Sequence, residues 1–146
     1  MRWYEINPTN GTLFQTGIAQ SPTLYVFTGA IAPDRQGATS TAGAFGGNMA
    51  LGVNTSSSTT YPALQMVTKK SGVTQSALIS VQSKKADTDF TCGAKTPCRW
   101  GDYAGASPDP APSSTSGGTV WLSGMLGNGG SRFTAGWTTW NWQVTP

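Results

Sequence analysis

The sequence has no histidine, few charges and no long apolar run. Without histidine the usual Ser-His and Cys-His nucleophile pairs are excluded, together with imidazole metal sites. Charged residues make up only 10% of the 146. The net charge of +3 is carried by scattered pairs such as Lys69-Lys70 and Lys84-Lys85. No dense basic stripe forms, which argues against nucleic acid as a partner. No segment approaches the roughly 20 apolar residues of a membrane span. No leader is visible either, since Met1 runs directly into Arg2-Trp-Tyr-Glu-Ile6, and the chain reads as a piece of something longer.

Cysteine is also scarce, and its placement is informative. The two cysteines frame Cys92-Gly-Ala-Lys-Thr-Pro-Cys98, a Gly- and Pro-containing loop that can bring both sulfurs within bonding reach. Two thiolates with no histidine leave zinc under-coordinated. The expectation is a Cys92–Cys98 disulfide, hence an oxidising compartment and a secreted or cell-surface parent protein. Asn10-Gly-Thr12 and Asn54-Thr-Ser56 match glycosylation sequons, which matter only on a eukaryotic secretory route.

Glycine, serine and threonine are abundant, and six Trp, five Phe and four Tyr supply the large apolar groups. This balance favours short strands between turns over helices or disorder. Strand-like runs occur at Trp3–Asn7, Thr12–Ile18, Leu24–Ala32, Asn48–Asn54, Tyr61–Lys69, Ala77–Ser83, Trp100–Ala106, Thr119–Met125 and Trp137–Val144. Gly/Ser/Thr/Pro-rich loops are expected at Gln36–Gly47 and Pro108–Gly118.

The chain also repeats itself. Gly29-Ala-Ile-Ala-Pro-Asp34 parallels Gly105-Ala-Ser-Pro-Asp109, and Gly46-Gly-Asn-Met-Ala-Leu51 parallels Gly117-Gly-Thr-Val-Trp-Leu122, at spacings of about 71 to 77 residues. Tyr4-Glu-Ile-Asn-Pro8 reads against Trp142-Gln-Val-Thr-Pro146, so the first and last strands occupy the same place in the repeat. Numbered by repeat position, the strands run 3-4, 1-2-3-4, 1-2-3.

A repeat of about four antiparallel strands is a β-propeller blade. The expected fold is therefore all-β, with about two to two and a half antiparallel propeller blades in one domain over 1–146. They divide as a partial blade over about 1–22, a full blade over about 23–90 and a partial blade over about 98–146. A closed propeller needs at least about four blades. The ring is expected to close by homo-oligomerisation, with a trimer favoured over a dimer.

The segment Cys98-Arg-Trp-Gly-Asp-Tyr-Ala-Gly-Ala-Ser-Pro-Asp-Pro110 resembles a motif, Arg-Trp-Gly-Asp-Tyr-Ser-Gly, of large secreted bacterial β-propeller proteins with sialidase-like architecture. In that family it lies near the C-terminal blades. Gly118-Thr-Val-Trp-Leu and Trp137-Thr-Thr-Trp are similar to the strands that follow. The resemblance implies propeller blades and names no reaction. Neither the Asp-box of true sialidases nor an arginine cluster for a sialic-acid carboxylate is present.

Candidate chemistry rests on carboxylates and aromatics. First strands line a propeller's channel, so copies of Asp102 would converge there, with Asp109 and Asp34 as further oxygen ligands for calcium or another hard divalent cation. Asp102 with Tyr103 would then serve metal-assisted hydrolysis of activated esters or phosphotriesters. The competing reading of Asp102 is structural, as a carboxylate accepting backbone N–H groups at a turn. Asp87-x-Asp89 echoes a calcium loop but reads better as a solvated loop. Trp140 and Trp142 share one strand face. They are either core or a platform for a glycan or small-molecule ligand. Two functions follow: a binding or structural module, or a metal-dependent hydrolase.

Overall fold

A computed structural model describes residues 1–34, 48–70, 73–93, 97–110, 118–131, 133–134 and 136–146. It contains nine strands and no helix among these residues. They are β1 (Arg2–Ile6), β2 (Leu13–Ile18), β3 (Tyr25–Pro33), β4 (Met49–Ser57), β5 (Thr60–Lys69), β6 (Ile79–Ser83), β7 (Gly105–Pro108), β8 (Val120–Gly127) and β9 (Trp137–Val144). All pairings are antiparallel and run in chain order, giving open sheets β1-β2, β3-β4-β5-β6 and β7-β8-β9. The β1–β2 hairpin turns at Asn10-Gly11, where Gly11 has φ +70° and the Gly11 N–H donates to the Asn7 carbonyl. The loop expected at 36–47 and most of that at 108–118 lie outside the described residues.

Alternation along β4 explains how the sheets stack. Met49, Leu51 and Val53 point to one face and pack with Trp3, Ala19 and Val67. Ala50, on the other face, packs with Leu64 against Val120, Leu122, Leu126, Trp142 and Val144. The middle sheet is therefore covered on both faces, and β4 reads as a nearly continuous apolar run. Each outer sheet is covered on one face only. Gly124 lets the middle and third sheets come close, because a Cβ there would sit 2.5 Å from Leu64 Cδ2.

Polar clamps hold the layers in register. Trp3 Nε1 donates to Gln75 Oε1 at 2.7 Å, while Gln75 Nε2 donates to the Ile18 carbonyl at 2.8 Å. Between the middle and third sheets, fully buried Asn54 donates through Nδ2 to the Met125 carbonyl at 2.7 Å. The sequon at Asn54 is therefore no glycosylation site, since its amide is enclosed between two sheets.

One strand differs from expectation. β7 begins at Gly105 rather than Trp100, because Trp100 is drawn away from the ladder onto the middle sheet. There its Nε1 donates to Asn54 Oδ1 at 3.3 Å and its ring meets Phe27 edge-on at 6.1 Å.

The Cys92–Cys98 disulfide is formed and closes a loop of six-residue separation. Entropy lost from the unfolded chain by so short a loop is worth about 2 kcal/mol. The double variant Cys92→Ser/Cys98→Ser is expected to unfold about 5 °C lower at equal protein concentration. A calorimetric melt checks this, and an unchanged melting temperature would show the loop ordered without its bond.

Candidate functional site

The segment between the disulfide and β7 carries most of the polar chemistry. Thr91 donates through N–H and Oγ1 to Asp89 Oδ1 at 2.8 and 2.6 Å, and its Oγ1 accepts the Arg99 N–H at 3.0 Å. Trp100 then anchors on Asn54 and Phe27. A bulge between Phe27 and Gly29 leaves Thr28 with φ +44°, a strained conformation for a β-branched residue. Gly101 packs on Met125, whose Sδ would lie 2.9 Å from a Cβ at that position. With both flanks held, Asp102 and Tyr103 form an exposed tip, and Tyr103 is 89% exposed.

This tip borders an open groove of about 550 Å3 whose walls include Arg99, Trp100, Asp102, Tyr103, Met125 and Trp137. The wall holds a guanidinium, a carboxylate, a phenol, two indoles and a thioether. Such a mixture suits a small ligand with an apolar ring and polar substituents.

Asp34 and Asp109, expected as ligands beside Asp102, lie elsewhere. Each follows a proline at the end of its strand, β3 or β7. The Asp34 N–H donates to the Asn48 carbonyl, and the Asp109 N–H to that of Thr119. Asp34 is fully buried and accepts Asn48 Nδ2 at 2.8 Å and the Gly118 N–H at 3.0 Å. Asp109 Oδ2 accepts from Trp121 Nε1, Thr119 Oγ1 and Gln143 Nε2 at 3.1 to 3.2 Å. Both carboxylates meet the chain at Gly118-Thr119, with β7 between them and Asp102. Among the described residues no three His, Cys, Asp or Glu gather to hold a metal. Within one chain the three aspartates are not gathered together: Asp34, through Oδ2, and Asp109 hold hydrogen bonds at the strand ends, away from Asp102.

The Trp140-Asn-Trp142 pair divides between roles. Trp142 is 9% exposed within the core of the middle and third sheets, whereas Trp140, one step along the same face, is about half exposed. They do not offer a two-ring platform. Two features were missed or misread from the sequence. Asn54 ties the sheets together, and its only signal was a polar side chain inside an apolar strand. Asp87 and Asp89, read as solvated, are both buried. Burial, reinforced by the Asp89 carboxylate, holds the Asp87 carboxyl above the usual range, while the Asp89 N–H opposes part of that rise.

No protein-family model, curated protein or solved structure matches the chain.

Proposed function

We propose that the chain is a β-propeller fragment of a secreted or surface protein that closes into a ring with copies of itself and serves as a binding module. The observation that carries this is the unequal covering of the sheets. The middle sheet is buried on both faces, while the first leaves Tyr4, Ile6, Phe14 and Ile18 exposed and the third leaves Trp121 exposed. Apolar faces of this kind are interaction surfaces. Because the two faces differ, copies would join head to tail, an arrangement that gives a ring when the rotation between neighbours closes and a filament when it does not. The edge of β1 is open as well, beside an apolar groove of about 220 Å3 lined by Trp3, Tyr4, Glu5, Ile31, Pro33 and Met49. Light scattering on the purified chain tests the proposal. A mass of two or three times 15.2 kDa supports it, and a monomer overturns it.

The groove beside Asp102 and Tyr103 is the proposed ligand site, with a glycan or another ring-bearing small molecule as occupant. The same groove favours one second reading. A divalent cation held by Asp102 from neighbouring copies, with Tyr103 and Arg99 close by, would suit hydrolysis of an activated ester or phosphotriester. On the binding reading, the protein is expected to leave hydrolysis of a p-nitrophenyl ester or phosphotriester at the rate in buffer. Turnover that EDTA abolishes, and that Asp102→Asn lowers at least tenfold, would establish the hydrolase instead.

A further inference from the structure

Asp87 is a buried acid whose carboxylate has little to bind beyond a weak pull from the Asp89 N–H. It is 9% exposed, and both of its carboxylate oxygens are enclosed without a hydrogen-bond partner among the described residues. An ionised carboxylate so placed is costly unless a cation accompanies it.

The surroundings supply oxygen. The loop after β6 lies against the loop between β8 and β9, and the two are joined backbone to backbone. The Gly129 N–H donates to the Ala86 carbonyl at 3.0 Å, and Thr88 Oγ1 donates to the Gly130 carbonyl at 2.9 Å. Glycines make the approach close: a Cβ at Gly127 would lie 2.4 Å from the Lys85 carbonyl oxygen. A Cβ at Gly136 would lie 3.0 Å from Asp87 Oδ1 and 3.2 Å from the Gly129 carbonyl oxygen. The space that Gly136 leaves without a side chain is thus bordered by a carboxylate oxygen and a peptide oxygen. Asp89 adds a second negative charge nearby, and the disulfide closes over the segment, with Cys98 Sγ 3.2 Å from the Asp87 carbonyl oxygen.

We infer that the junction of these two loops is a divalent-cation site of the calcium class, anchored by the Asp87 carboxylate and completed by the Gly129 carbonyl and water. Calcium accepts a bidentate carboxylate and backbone carbonyls in flexible geometry, whereas magnesium demands a near-ideal octahedron. With one anchoring carboxylate the site belongs with the weak extracellular modules, at a Kd of about 0.1–1 mM. A bound ion would pin the disulfide-bearing segment to the third sheet. The inference is independent of ring closure and of any chemistry at Asp102.

Thermal unfolding of the whole chain tests it, at one protein concentration, in EDTA, 10 mM Mg2+ and 10 mM Ca2+. Calcium is expected to raise the melting temperature by about 5 °C and magnesium by much less. Asp87→Asn, nearly the same shape, should abolish the calcium shift, while Asp102→Asn should keep it. If Asp87→Asn does not fold, Tb3+ luminescence sensitised by tryptophan in the unaltered protein reads the site directly. It should be displaced by Ca2+ and weakened at least tenfold in Gly136→Ala, which fills the space. No calcium shift in the unaltered protein, or a shift that Asp87→Asn retains, would overturn the inference. So would a shift lost only in Asp102→Asn, which would place the ion in the groove.

Discussion

On the proposed ring, Phe14→Asp is expected to give a 15.2 kDa monomer that keeps its fold. Phe14 lies on β2, and its alternation with Thr16 and Ile18 puts it on the face opposite Trp3, which packs inward. It is 63% exposed within one chain and neighbours Tyr4, Ile6 and Ile18, so a charge there disturbs little of the chain's own packing. In a head-to-tail ring the same side chain would be buried against the next copy. The variant loses about 2–3 kcal/mol of apolar burial and adds an unpaired carboxylate to a dry contact, a further cost of several kcal/mol. Each 1.4 kcal/mol is tenfold in a dissociation constant, so every junction weakens by at least about a thousandfold. A ring loses all its junctions together. Light scattering gives the mass, and near-ultraviolet circular dichroism reports whether the tryptophan core persists. Thr59→Asp, in the exposed β4–β5 turn, is the control and should assemble normally. A Phe14→Asp protein with the mass of the unaltered one would show that the outer face of the first sheet is not the contact.

The strands were legible because their signals are local. Asn10-Gly11 marks a hairpin by backbone conformation alone, and alternation places Met49, Leu51 and Val53 together without reference to any other strand. The cysteine pairing was legible for the same reason, since five intervening residues leave little choice of partner. The β7 boundary was not, because it depends on a contact made across sheets. Trp100 has strong strand propensity, yet its indole is claimed by Asn54 and Phe27, more than 45 residues away in sequence. The candidate ligands were hard to read for a related reason. Asp34 and Asp109 match each other in the sequence, and that match marks a shared strand-end hydrogen bond as readily as a shared metal. Asp87-x-Asp89 has the look of a solvated turn until the glycines at 127, 129 and 136 bring a second loop over it, and nothing near it in the chain foretells that approach.

Asn54 is the residue whose loss should cost the fold most for the fewest atoms removed. Its side chain is 1% exposed; Nδ2 donates to the carbonyls of Met125 and, at 3.3 Å, Ala63, while Oδ1 accepts the indole N–H of Trp100. In Asn54→Ala two buried carbonyls and the half-buried indole N–H of Trp100 lose a partner at once, and water has little room to reach the carbonyls. Buried groups left unsatisfied cost about 1–3 kcal/mol each, with some relief from relaxation, so a loss of about 4 kcal/mol is expected. That is a large part of the 5–15 kcal/mol typical of a folded domain. Urea unfolding followed by tryptophan fluorescence measures it, and the midpoint should fall with little change in slope, since the same surface is exposed on unfolding. The effect should reach the groove too, because Trp100 is one of its walls and Asn54 fixes its indole. Asn54→Asp separates the two consequences. It keeps an acceptor for Trp100, yet it loses the donor to Met125 and places a carboxylate between two sheets, so the groove should survive better than the stability. A loss below about 1 kcal/mol in Asn54→Ala would mean that apolar packing of Leu64, Leu122 and Trp142 joins these sheets without help from the amide.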